Sequence, residues 1–180
     1  MNFQLFLSFA LDGIAYAAEA LAGKAVGARD RAGLRRAVRR TLRWSLGFAT
    51  VFCIVYAVAG PAIIGMLTSI DALRATAGRF LPWLIVSPLI SVWSFLYDGV
   101  YVGATRTREM MIVMVGSALL VFLPTWLATG MLGNHGLWLA FTAFMLARGV
   151  GMHVWFRRMI DGPALALDAP VIRKPGSTDA

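Results

Sequence analysis

Four charged side chains lie in the most apolar parts of this sequence: Asp12 and Glu19 in LDGIAYAAEALAGKAVGARDR (residues 11–31), Asp98 in LYDGVYVG (96–103) and Arg148 in FMLARG (144–149). A carboxylate held away from water takes up a proton more readily, and a neighbouring arginine opposes that tendency. Such a set can exchange protons or attract a cation. Asp12 and Glu19 are seven residues apart, which on a helix returns them almost to the same face. Lys24, five residues beyond Glu19, is placed where a long side chain reaches polar surroundings and anchors a helix end.

The elements that must hold these groups are membrane helices. The chain is 59% hydrophobic and 14% charged, with a mean hydropathy of +0.71, more apolar than a soluble domain of 180 residues requires. Trp44–Ile70 and Met110–Ala147 contain no Asp, Glu, Lys or Arg. A single crossing needs about 20 apolar residues, so the second run is two crossings divided at the turn sequence Gly133-Asn134-His135-Gly136. The reading is all-α and polytopic, with five spans at 3–28, 44–68, 80–104, 110–132 and 136–156. The first span has no basic leader and contains carboxylates, which argues against a cleaved signal peptide. Residues 159–180, with Pro163, Pro170, Pro175 and the ending GSTDA, read as a disordered cytoplasmic tail.

An isolated charge at the bilayer centre costs about 2.5–3.5 kcal/mol on insertion scales. Arg148 can neutralise one acid, leaving two, and the set Asp12, Glu19, Asp98 and Arg148 therefore reads as a polar, partly wet transport cavity. The competing reading is a non-transporting subunit or scaffold whose charges are structural ion pairs.

Arginine distribution orients the spans. RDRAGLRRAVRRTLR, residues 29–43, holds seven arginines, TRTRE holds two, and Arg157, Arg158, Arg173 and Lys174 follow the last span. These segments are expected on the cytoplasmic side, with the N-terminus outside. Leu34, Val38 and Leu42 among the arginines describe an amphipathic helix on the membrane surface, and this placement accounts for the net charge of +8 without nucleic acid as a partner. Cys53 is alone in a span, and His135 and His153 lack the spacing of a metal site. No nucleophile–base pattern marks an enzyme. GKAVG (23–27) and GVYVG (99–103) are both GxxxG, a pattern that lets helices approach closely. Pro61, Pro82, Pro88 and Pro124 lie inside spans, where each permits a kink.

LDGIAYAAEALAGKAVGARDR, LYDGVYVGATRTREM and GNHGLWLAFTAFMLARG, in that order, resemble the DinF branch of the multidrug and toxic compound extrusion (MATE) family over residues 1–158. The resemblance implies a V-shaped, alternating-access antiporter of two six-helix bundles that expels organic, often cationic, compounds against inward proton or sodium flow. It implies no cofactor beyond that coupling ion, a multi-pass location in a bacterial inner membrane, and lipid as surroundings. The motifs correspond to the last five helices of such a transporter. The chain is thus expected to be a fragment holding most of the second bundle, with the N-terminal half as its missing partner. The family's first-bundle coupling aspartate maps to no residue here.

Overall fold

Hydropathy marks where a segment leaves hydrocarbon, whereas a helix continues until its capping or turn chemistry stops it, and in this chain the two limits differ. A computed structural model describes residues 2–161 as five rods: α1 (Asn2–Gly27), α2 (Arg31–Leu67), α3 (Asp71–Gly103), α4 (Thr107–Ala128) and α5 (Asn134–Asp161). The all-α class holds, and the five expected spans fall one to a helix. Helices α2 to α5 are long and apolar enough to cross a membrane. The 26 residues of α1 rise about 39 Å at 1.5 Å each, also sufficient.

The arginine-rich segment is not a separate surface helix. It is the first third of α2, whose 37 residues rise about 55 Å, well beyond the hydrocarbon thickness of about 30 Å. Asp30 starts α2 by accepting a hydrogen bond from the Gly33 amide at 2.7 Å. No proline follows until Pro61, so nothing stops the helix at Arg43. Leu34 and Val38, expected to face lipid, are buried in a core with Ala25, Met152, Phe156 and Met159; the protein itself covers their apolar stripe. At the other end Arg74 donates to the carbonyls of Thr68 (2.8 Å) and Gly65 (3.0 Å), satisfying acceptors left free by the last turn of α2.

Helix α3 is the hub, packed on α1, α2 and α5, while α4 packs chiefly on α5. Its small residues allow this: Ser87, Ser91 and Ser94 are buried, and the glycines of GVYVG meet α1. A Cβ on Gly99 would lie 2.0 Å from the Ala15 carbonyl oxygen, and one on Gly103 would lie 2.2 Å from that of Glu19. In the matching motif only Gly23 is at the seam, where a Cβ would lie 3.3 Å from the Gly103 carbonyl oxygen, while a Cβ on Gly27 would meet nothing within 4 Å. The two motifs do share a helix stop. Arg29 and Thr105, each two residues past the second glycine, have φ of 55° and 56°. Each turn is closed by a bond reaching back five residues: Asp30 amide to Ala25 carbonyl (2.9 Å) and Arg106 amide to Tyr101 carbonyl (2.8 Å).

In α4 the backbone widens into a π turn over Ala118–Phe122, just before Pro124. The proline lacks an amide hydrogen and its ring crowds the carbonyl four residues earlier, so a wider turn accommodates it without ending the helix. Only 6% of the apolar stretch of α4 is buried inside the chain, which leaves it facing lipid or further protein. Helix α5 continues through residues 159–161, at the start of the expected tail, and residues 162–180 lie outside the described residues.

Candidate functional site

Polar contacts between α3 and α5 recur at helical spacing. Ser94 Oγ donates to the Met145 carbonyl at 2.9 Å, Asp98 meets Arg148, and Tyr101 OH donates to the Met152 carbonyl at 2.9 Å. The nearly constant offset between partners marks two helices running parallel in fixed register. Tyr97 OH and His153 Nδ1 add a contact at 2.5 Å. On the same seam Gly149 lets the helices close, since a Cβ there would lie 3.0 Å from Trp93 Cβ. Each of these three hydroxyls meets a carbonyl or ring nitrogen across the seam, which fixes register as well as proximity.

Asp98 and Arg148 are the centre of this ladder. Arg148 Nη2 donates to both carboxylate oxygens at 2.6 Å, and the two side chains are 23% and 13% exposed, sheltered but not sealed. The arginine grips through one nitrogen: its Nε is buried without a hydrogen-bond partner among the described residues. That is a looser hold than a fork in which two nitrogens each take one oxygen.

Asp12 is half-buried on α1, three residues before Ala15, whose carbonyl packs against Gly99 next to Asp98. Glu19, also half-buried, lies two turns further towards the arginine-rich end, about 10.5 Å along the axis. Both acids follow a buried residue, Leu11 and Ala18 respectively, so they flank the packed stripe of α1. Neither has a cation in ion-pair range among the described residues. The structure therefore joins Asp98 to Arg148, sets Asp12 near them on the facing helix α1, and leaves Glu19 one repeat away on the same side of α1. Lys24 is exposed at the helix end.

Beside these groups, α1 and α2 enclose a mainly apolar cavity of about 660 Å³ whose walls include Leu11, Ile14, Phe48 and Phe52, with Arg40 and Thr41 also lining it. None of the four candidate residues lines it. His135 is held at the far end of the bundle, where its Nδ1 accepts from Trp83 Nε1 at 3.1 Å and its ring packs on Phe80 at 4.8 Å. Sequence reasoning missed Ser94, Tyr97, Tyr101 and His153 as a seam. Part of their signal was present, as the hydroxyls of Ser94, Tyr97 and Tyr101 at three- and four-residue spacing in an apolar span, but two of the three partners on α5 are backbone carbonyls, to which side-chain patterns are blind.

Comparison with known proteins finds that the MatE family pattern matches residues 1–127. The chain is 42% identical over 158 residues to DNA damage-inducible protein F of Escherichia coli (strain K12), a match covering 88% of this chain and 34% of that protein. The chain thus spans about a third of that relative's length. No solved structure matches the chain.

Proposed function

The chain belongs to the MatE family, and from that membership we propose that it is part of a multidrug or xenobiotic efflux antiporter driven by inward flow of protons or sodium ions. The family is one of transporters rather than enzymes, and the apolar helices make the chain a multi-pass membrane protein. The observation that carries the coupled-transport reading is the Asp98–Arg148 pair with Asp12 near it on the facing helix and Glu19 one repeat along, Asp12 and Glu19 having no cation in ion-pair range among the described residues. Ionisable groups within membrane helices mark ion and substrate pathways, and exchange of a proton or cation between two sides requires such a group. The single-nitrogen grip of Arg148 supports a pair that opens during such exchange.

Alternating access needs two facing repeats, and the chain spans 34% of its relative; we therefore assign it the role of one bundle working with a second. The 180-residue chain alone in vesicles is expected to give no coupled efflux. In a complete transporter, Asp12→Asn, Glu19→Gln and Asp98→Asn are each expected to reduce efflux more than they reduce the amount of folded protein in the membrane. Normal pumping by all three variants refutes a part for these acids in coupled transport and returns them to a structural role.

The same reading puts the arginine-rich end of α2 and the end of α5 in the cytoplasm of a bacterial inner membrane. In a Cys53→Ala background, cysteines placed at Arg36 and Arg158 are expected to be shielded from an impermeant external thiol reagent, and one at Ala75 to react. The reverse labelling pattern overturns the orientation.

A further inference from the structure

Two cavities at the arginine-rich end of the bundle share walls. One, of about 370 Å³, lies between the start of α2 and the end of α5 and is lined by Arg35, Arg39, Arg157 and Asp161, with Tyr97 and His153 at its inner side. The other, of about 480 Å³, is lined by Ile90, Trp93, Leu146 and Val150. Leu42, His153 and Arg157 line both, so together they form one passage with a cationic end and an apolar end.

The cationic end is not neutralised from within. Asp161 is taken by Arg35, with which it forms an ion pair across α2 and α5, while Arg39 and Arg157 have no carboxylate partner among the described residues. Guanidinium groups favour phosphate, which they meet with several donors at once. The apolar end runs back along α5 from Arg157 to Leu146, about 16 Å at 1.5 Å per residue. It is open at the side, since Leu146 and Val150 remain 54% and 55% exposed. A soluble anion uses only the first half of this passage and a neutral lipid only the second.

We propose that this passage is a binding site for one anionic phospholipid, its phosphate held between Arg39 and Arg157 and one acyl chain lying in the slot lined by Trp93, Leu146 and Val150. Basic pockets between membrane helices take anionic headgroups for the same electrostatic reason, and here the adjoining slot supplies the place for the chain. The site ties α2 to α5 at the end where α2 projects beyond the membrane. It depends on neither transport nor the identity of the coupling ion.

The test uses the full chain in detergent and native mass spectrometry with dioleoyl phosphatidylglycerol, dioleoyl phosphatidylcholine and soluble glycerol 1-phosphate. Phosphatidylglycerol is expected to be retained at least about tenfold better than phosphatidylcholine. The Arg39→Gln/Arg157→Gln double variant is expected to weaken its retention about thirtyfold. Val150→Trp, which fills the slot and leaves the arginines in place, should weaken it as well, while glycerol 1-phosphate should not compete. Equal retention of the two lipids, unchanged binding by either variant, or competition by glycerol 1-phosphate overturns the proposal. Thermal unfolding in lipid-free detergent identifies a variant that has lost its fold, and the lipid-class comparison on the unmodified chain decides in that case.

Discussion

Gly99→Leu is expected to abolish recovery of folded protein, and Gly99→Ala and Gly103→Ala each to lower the yield of monodisperse material severely. At both glycines the atom opposing a new Cβ is a backbone carbonyl of α1, at 2.0 and 2.2 Å. No rotamer change relieves that contact, so α1 and α3 must separate along the seam. Overpacking of a well-packed site commonly costs about 1–3 kcal/mol, and the upper end applies where backbone must move. In a membrane the loss is not recovered by hydrophobic association elsewhere, because helix contact there rests on close packing and interhelical hydrogen bonds. The seam also carries Asp12 to Asp98 and sets the backbone of Glu19 against Gly103, so loosening it disperses the candidate site. Gly13→Ala and Gly27→Ala are the controls: a Cβ at either meets nothing within 4 Å, and replacing a helical glycine gains about 1 kcal/mol of intrinsic helix stability. The yield of monodisperse protein for all five variants, with thermal unfolding in detergent for those recovered, checks the result. Equal loss at Gly27 and Gly99 would show that the seam is not what these glycines serve.

The contrast between the two GxxxG motifs shows what sequence carries and what it does not. The spacing made both candidates for close approach, yet proximity needs a partner, and Gly27 lies where α1 ends and its neighbour has turned away. The five rods were legible because apolar length and turn chemistry are local properties. The join between the arginine-rich segment and α2 was not, since a change from charged to apolar residues signals a change of solvent rather than a helix end. Leu34 and Val38 were recognised as an apolar stripe, but a stripe does not state whether lipid or protein covers it; here a core shared by α1, α3 and α5 does, with Ala25, Tyr101 and Met152 among its members. In the site, the presence of charges at depth and the sufficiency of one arginine for one acid followed from insertion cost alone. Which acid Arg148 takes depends on the rotation of α3 against α5, set by Ser94, Tyr101 and Gly149 contacting backbone across the seam.

That pairing leads to the second large effect. Arg148→Met is expected to cut the folded yield sharply, because it leaves Asp98, only 23% exposed, as a charge without its partner; removing one member of a sheltered pair commonly costs about 3–5 kcal/mol. Asp98→Asn should cost less than a full unpaired charge if Arg148 can turn towards Asp12, which lies near the pair on the facing helix. The double variant Asp98→Asn/Arg148→Met removes both charges together and is expected to fold better than Arg148→Met alone, since a buried pair replaced as a unit is often neutral or stabilising. A double-mutant cycle on unfolding in detergent measures the coupling, and a value near zero would mean that the contact at 2.6 Å contributes nothing to stability. Efflux by the complete transporter then separates the two roles. If the pair only holds α3 to α5, the double variant regains transport along with its fold. If the carboxylate takes part in ion exchange, the double variant folds and still fails to pump, because what it has lost is the group that changes charge as the bundle opens.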